Sequence, residues 1–310
     1  MSFDGGPGVT SARVLAHAKI NLLLRVLERE ANGFHGIETL FQALELADDV
    51  ELHLNEADRT LSCDGPAMPT AGLGSVEQNL AMRAATAYTG ATKWETGWSI
   101  TIEKNIPVGG GLGGGSADAA AVLTAFESLA PQPLGRSALL ELAGTLGSDV
   151  PFLVSASPLA WGWNRGDRLL PLQTLPRMDV TLFTFSEGVS TGAAYKSLSE
   201  SRNQEIKVGK SRGASYPADA FSSWSSIAGM AANDFETVVP ALHEGVARWL
   251  PVVRHTAARL TAQGTPALGL MSGSGATCFV LSAPGLIPDF ASGNGMRVIK
   301  THTLSALSGI

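Results

Sequence analysis

The sequence predicts a two-lobed α/β (α+β) fold, and three observations carry that expectation. Apolar and polar residues alternate with period two at 50–54 and 98–102, as in half-buried strands. Ala- and Leu-rich stretches at 79–88 and from 116 onward have helical composition. Strand-like runs then recur at 179–185 and 277–281, after a loop at 162–167. Mixed strands and helices on both sides of such a loop suggest a division into residues 1–163 and 164–310, with the last strand free to return to the first part.

Each element follows in order. The mostly apolar run 14–26 reads as a strand, interrupted only by polar residues such as Lys19 and Asn21. The strand at 98–103 leads through Pro107 into a glycine-rich loop, and a helix follows at once. Ser116 is its expected N-cap, and Asp118 suits the positive end of its dipole. Pro131 and Pro133 end that helix. A second helix over 137–146 stops at Gly147, read as a left-handed C′ residue. The stretch 202–226 is Ser-rich and reads as a long irregular excursion, and 234–250 reads as one helix.

Composition narrows the class of protein. Hydrophobic residues make up 45% of the 310-residue chain, enough for a packed core and against extended disorder. The formal net charge is -6 and no run of five basic residues occurs, so a nucleic-acid partner lacks its electrostatic footprint. A small polyanion is still accommodated by local cations and backbone N–H groups. Cys63 and Cys278 lie far apart and outside metal-ligand spacing, and they read as free thiols of a reducing compartment. The first eleven residues contain no apolar core of a signal peptide, and no apolar stretch approaches membrane-spanning length. The expectation is a cytoplasmic protein with no membrane partner, present as a monomer or weak homodimer.

The chemistry concentrates in Pro-Val-Gly-Gly-Gly-Leu-Gly-Gly-Gly-Ser-Ala at 107–117. Glycines at 109, 110, 111, 113, 114 and 115 free the backbone N–H groups to converge, and the helix behind them adds its own unpaired donors. Such a loop binds phosphate; a flexible linker would not be set between a strand and an Ala-rich helix. A Walker A loop has the spacing at Gly110 and Gly115, but Ser116 stands where its lysine belongs. A Rossmann fingerprint fits Gly109, Gly111 and Gly114 literally, yet a polar link and Pro107 separate the loop from its strand.

The loop resembles the ATP loop of the GHMP kinases. Four other segments match that family in order: Ala-Lys-Ile-Asn-Leu at 18–22, Gly-Phe-His-Gly-Ile-Glu-Thr-Leu-Phe at 33–41, Leu-Gly-Ser-Asp-Val-Pro-Phe at 146–152 and Met-Ser-Gly-Ser-Gly-Ala at 271–276. Asn-Asp-Phe-Glu at 233–236 is a weaker fifth. The resemblance spans residues 14–281. It implies a two-lobed fold with ATP and Mg²⁺ in the first lobe and substrate in the cleft. Within the family the segments are most similar to members that phosphorylate the 2-hydroxyl of a cytidine diphosphate-linked methylerythritol, in non-mevalonate isoprenoid synthesis. A homoserine- or mevalonate-type kinase, or a non-catalytic nucleotide-binding protein, is the alternative.

Residue roles follow from that resemblance. Asp149 is the candidate proton acceptor, with an Asx turn or helix cap as its structural alternative. Lys19, expensive in an apolar strand unless paired, would hold Asp149 ionised and stabilise the transferring phosphoryl group. Asn21, on the same strand face, matches a substrate-contacting Asn. Phe34 and His35 match an aromatic-His pair that binds cytosine, with Phe in place of the family's Tyr. Thr191 and Tyr195 match its polar and aromatic partners. Gly273 and Ser274 lie in the third family motif, beside the substrate phosphates. Asn79, Lys104, Pro107 and Leu112, with the loop glycines, match the nucleotide site. Ser116 also matches a serine that contacts Mg²⁺ and phosphate. His17 and Ser148 depart from the usual Pro and Ala, and 202–226 has no clear counterpart.

Overall fold

The computed structural model describes residues 10–29, 35–206, 215–293 and 295–306. Two long strands, β1 (Ser11–Arg29) and β2 (His35–Asn55), form its spine as an antiparallel pair. β3 (Arg59–Asp64), α1 (Leu80–Thr92), β4 (Gly97–Glu103), α2 (Gly114–Leu129), α3 (Arg136–Leu146) and α4 (Val150–Val154) follow. β5 (Leu159–Asn164) and β6 (Arg168–Pro171) make a hairpin. β7 (Asp179–Phe185), α5 (Thr191–Ile206), α6 (Trp224–Met230) and the short β8 (Ala232–Asn233) lead to α7 (Val239–Leu242) and α8 (Glu244–Ala262). β9 (Ala267–Met271), β10 (Cys278–Ser282) and β11 (Met296–His302) complete the chain.

The strands form two sheets. The first has the order β3-β4-β2-β1-β8, with β5 pairing the first half of β2 and β4 the second half. The second has the order β11-β7-β10-β9 and is antiparallel throughout. Both β6 and β8 of the first sheet come from beyond residue 163. The sheets are joined near β11, where Thr301 Oγ1 accepts from the Leu46 N–H at 3.0 Å.

Packing explains the elements. α2 is buried from Ala117 to Glu127, and its small alanines let it lie close against β1. Its first turn starts at Gly114 with Gly113 as N-cap in a left-handed conformation (φ 73°), so Ser116 is not the cap expected from sequence. α8 covers β9 and β10 with Val246, Leu250, Val253, Ala257 and Leu260, a helical spacing that buries one face. Lys19, Ile20 and Asn21 keep regular pairing with β2 between two register shifts of β1, at His17/Lys19 and Asn21/Leu23.

Three further expectations are corrected. The stretch 234–250 is not one helix: a 3-10 turn at Asp234–Thr237 and α7, with Pro240 in its first turn, precede α8, whose N-cap is the His243 side chain. The 202–226 stretch is helical at its start, because α5 continues to Ile206, and again from Trp224; residues 207–214 lie outside the described residues. Gly147 follows α3 with φ 174°, an extended conformation open to any residue rather than the left-handed one expected.

Candidate active site

The two register shifts flank the residues that matter. Lys19 is 3% exposed and Asn21 2%, so their polar ends need partners inside the protein. Lys19 Nζ donates to Asn21 Oδ1 at 2.8 Å and lies 3.3 Å from Asp149 Oδ2. Asn21 Nδ2 donates to Thr39 Oγ1 at 2.8 Å, and Thr39 donates to the Leu23 carbonyl. This chain of bonds fixes the lysine head. The Lys19 backbone N–H is fixed too, donating to the Leu112 carbonyl at 2.9 Å.

Asp149 arrives from 130 residues away in sequence. It is the N-cap residue of α4, with Pro151 in the first turn, yet its carboxylate makes no capping hydrogen bond. The structural alternative of a helix cap is therefore not what the side chain does. It faces Lys19 and remains 29% exposed, open to an incoming hydroxyl group.

The glycine loop stands over this pair. Gly109, Gly111 and Gly113 all have φ between 73° and 76°, which L side chains rarely adopt. A Cβ on Gly111 would lie 2.3 Å from the Ser272 carbonyl oxygen, and one on Gly113 would lie 3.0 Å from Lys19 Cγ. The loop is pinned to the 272–277 turn: Ser272 Oγ donates to the Gly111 carbonyl at 2.9 Å and the Thr277 N–H to the Gly110 carbonyl at 3.1 Å.

Two cavities meet at this loop. One, about 370 Å³, is lined by Leu73, Asn79, Lys104, Ile106, Pro107 and the loop through Ser116, with Asp118. The other, about 340 Å³, is lined by Lys19, Asn21, Ser148, Asp149, Arg165, Thr191, Tyr195 and Gly273 to Gly275. Gly109, Gly111, Gly113 and Ser116 line both. A phosphate cradle shared by two chambers can present one ligand's terminal phosphate to a second ligand beside the Lys19–Asp149 pair.

Asn79 shapes the first chamber, where its Oδ1 accepts from the Ala81 N–H and caps α1. Lys104 also lines it, but its ammonium is held between Asp48 and Asp118, with Asp118 at 2.6 Å. Asp48 also accepts from the N–H groups of Asn105 and Ile106, so it fixes the lead-in to the loop. Burial pushes the Asp118 carboxyl up to about 7; Lys104 opposes that shift and the Asp48 charge adds to it. Burial alone would lower the Lys104 ammonium, but Asp118 and Asp48 outweigh it and raise its pKa.

The second chamber is closed by α5. His35 and Tyr195 stack with ring centroids 5.2 Å apart, and Ser199 Oγ hydrogen-bonds His35 Nε2 at 3.1 Å. Tyr195 also packs edge-on against Phe235. Burial, with the Asp149 charge, pushes its phenol up to about 12 and keeps it neutral. Thr191 Oγ1 and Ser274 Oγ are 2.9 Å apart, which brings the two polar expectations together. Phe34 lies outside the described residues. Arg165 and Thr39 escaped the sequence reading. The Asn-Arg-Gly-Asp turn at 164–167 marked a loop, but nothing in it said that Arg165 would line the cleft.

The GHMP kinases N terminal domain family matches residues 79–157, the segment from the α1 cap through Asp149. A 4-diphosphocytidyl-2-C-methyl-D-erythritol kinase of Parvibaculum lavamentivorans is 36% identical over 281 residues, covering 90% of this chain and 90% of its own. The chain belongs to the 4-diphosphocytidyl-2-C-methyl-D-erythritol kinase family. A crystal structure of a 4-(cytidine 5'-diphospho)-2C-methyl-D-erythritol kinase superposes with a TM-score of 0.67 at 31% identity, covering 94% of this chain and 99% of that one. A homoserine kinase of Cytophaga hutchinsonii superposes with a TM-score of 0.63 at 18% identity, over 100% of this chain and 98% of that one, and shows the fold alone. The two-lobed GHMP fold expected from sequence is thus borne out, and so is membership of this kinase family.

Proposed function

We propose that this chain transfers the γ-phosphoryl group of ATP to the 2-hydroxyl of 4-diphosphocytidyl-2-C-methyl-D-erythritol. The observation that carries the reading is the Lys19–Asp149 pair at the junction of two cavities that share the glycine loop. In this account the 370 Å³ chamber takes the nucleotide, with Asn79 toward the adenine, Lys104 approaching the nucleotide beside the loop, and Gly109 to Ser116 around the phosphates. Asp149 accepts the hydroxyl proton of the acceptor. Lys19 keeps that carboxylate ionised and stabilises charge on the moving phosphoryl group. Asn21 holds Lys19 and borders the acceptor.

Mg²⁺ fits this donor set. Ser116 lines both chambers. It would offer the ion a protein oxygen beside the phosphates. When bound, it would neutralise charge between the phosphates.

The acceptor is assigned from the far end of the second chamber. Tyr195 lines the second chamber and stacks on His35, and an aromatic pair at that place suits recognition of a cytosine base. Homoserine and mevalonate have no base for such a clamp. Thr191, Gly273 and Ser274 border the same space. Residues 1–163 are taken as the nucleotide-binding and catalytic part and 164–310 as the substrate-side part. Among the described residues no helix is long and apolar enough to cross a membrane, and Cys63 and Cys278 are free thiols. The chain is taken to be cytoplasmic and a monomer or weak homodimer, as expected from its sequence. Steady-state assays with ATP and three acceptors test the reading. Turnover is expected with the cytidine diphosphate-linked methylerythritol and not with homoserine or mevalonate; the reverse order would refute it.

A further inference from the structure

We propose that Asn233, which lines neither chamber, is a positioning residue for ATP: it fixes the turn on which the glycine loop rests. This rests on the reading of that loop as the ATP phosphate site. Asn233 opens the Asn-Asp-Phe-Glu segment at 233–236, to which the proposed function gives no part. It is 4% exposed, so its amide needs partners inside the protein. β8 ends the first sheet and β9 ends the second, and side chains of this segment span from one edge to the other. Asn233 Nδ2 donates to the Met271 carbonyl at 2.7 Å and to the Gly273 carbonyl at 2.8 Å. Its Oδ1 accepts from the Phe235 N–H at 3.0 Å. Glu236 Oε1 accepts from the Met271 N–H at 2.6 Å.

Both hydrogens of the amide are thus committed to the carbonyls on either side of Ser272. Ser272 is the residue that meets the loop. Its Oγ donates to the Gly111 carbonyl, and its own carbonyl oxygen is the atom that a Cβ on Gly111 would meet at 2.3 Å. Gly273 lies as close: a Cβ there would be 3.2 Å from the Gly111 carbonyl oxygen and 3.4 Å from Lys19 Nζ. A turn released from Asn233 is free to move against the phosphate cradle and against Lys19. The chemistry calls for an amide. Asp has the same shape but sets an oxygen against both carbonyls. Ala leaves those carbonyls to water, which a cavity of about 460 Å³ lined by Asn233, Glu236 and Leu270 has room to hold.

The experiment measures ATP affinity by calorimetry, with guanidinium unfolding as the check on folding, for the wild type, Asn233→Ala and Asn233→Asp. Ser272→Ala and the double variant with Asn233→Ala close a cycle. ATP affinity is expected to fall about two- to ten-fold in Asn233→Ala, the scale of one net hydrogen bond, and at least about ten-fold in Asn233→Asp. In the double variant the two factors should not multiply, because Ser272→Ala has already cut the link through which Asn233 acts. A role in filling volume alone would reverse the order of the single variants, since Asp keeps the shape that Ala removes. That reversed order, unchanged ATP affinity in both, or factors that multiply would overturn the proposal. Should Asn233→Asp fail to fold, Asn233→Ala and the cycle decide it. If the wild type binds no ATP, the functional reading fails, and hydrogen exchange of the Thr277 N–H, bonded to the Gly110 carbonyl at 3.1 Å, still reads the seat of the loop. Faster exchange in Asn233→Ala is expected, and unchanged exchange would overturn the role of Asn233.

Discussion

Asp149 Oδ2 lies 3.3 Å from Lys19 Nζ, across a sequence separation of 130 residues, while the helix that Asp149 begins is left uncapped by its side chain. The carboxylate is thus directed at the lysine and the cleft rather than at its own helix. Lys19 in turn is held by Asn21 and by the loop. In the proposed function this pair is the point where base and charge stabilisation meet. Replacing Lys19 by Met keeps its length and volume and removes the ammonium. Turnover should fall by about a hundred-fold or more, the scale of losing one preorganised charge donor. The fold should hold, since an apolar isostere leaves the buried Asn21 Oδ1 short of a donor, at about 1–3 kcal/mol, while the part-exposed Asp149 carboxylate can turn to water. Denaturant unfolding beside kinetics checks both; retained turnover would remove Lys19 from the mechanism.

Gly111→Ala tests the docking of the loop. The new Cβ would lie 2.3 Å from the Ser272 carbonyl and at φ 76°. A loss of about 1–3 kcal/mol in stability is expected for such strain, together with loss of ATP binding by calorimetry. Gly144→Ala, in α3 with nothing within 4 Å of its Cβ, is the control and should gain about 0.5–1 kcal/mol. Normal ATP affinity in Gly111→Ala would count against this loop as the phosphate site.

Tyr195→Leu tests the base clamp. It keeps an apolar contact for Phe235 but removes the ring stacked on His35. The acceptor KM should rise roughly five- to a hundred-fold, as expected for losing one stacked base at about 1–3 kcal/mol. The ATP KM should not move. If the two KM values rose together, Tyr195 would be a residue of general cleft shape and not of acceptor recognition.

Asp118 gives a pH dependence. Its folded carboxyl is raised to about 7, chiefly by burial, from the ordinary aspartate value of 3.8. A raised carboxyl means that the folded chain holds a proton which the unfolded chain releases. Its contribution to stability is therefore fully present below pH 3.8 and is lost as the pH rises through about 7. Asp118→Asn should remove that part of the decline. Guanidinium midpoints measured from about pH 5 to about pH 8 should fall less steeply for the variant than for the wild type. Identical slopes would contradict the assigned protonation.

How much of this was legible beforehand differs from residue to residue. Lys19 stood out because a charge in an apolar strand demands a partner, and Asp149 because an ordered set of motifs named it. Asn21 was placed on the right face, though its amide is bound to Lys19 and Thr39 in a way that no period reveals. Ser116 looked like a cap, yet the left-handed Gly113 starts the helix earlier, and glycine runs conceal which residue takes that conformation. The 234–250 segment read as one helix because its apolar spacing is continuous; Pro240 and the His243 cap divide it. Lys104 was expected to approach the nucleotide; it lines the 370 Å³ cavity, and its ammonium is held by Asp48 and Asp118 from distant elements. Arg165 gave no signal, since a single residue in a turn has no periodicity and only tertiary packing brings that turn to the cleft.

The most direct test of the account is Asp149→Asn, with turnover and nucleotide binding measured on the same preparation. The substitution keeps the shape of the side chain and removes its basicity. Phosphoryl transfer to the cytidine diphosphate-linked methylerythritol should fall by about 10²- to 10⁴-fold, the usual contribution of a positioned general base. ATP should bind as tightly as to the wild type, since the glycine loop is untouched. Turnover within a few-fold of wild type, with ATP bound normally, would contradict the central claim that Asp149 beside Lys19 takes the proton of the acceptor.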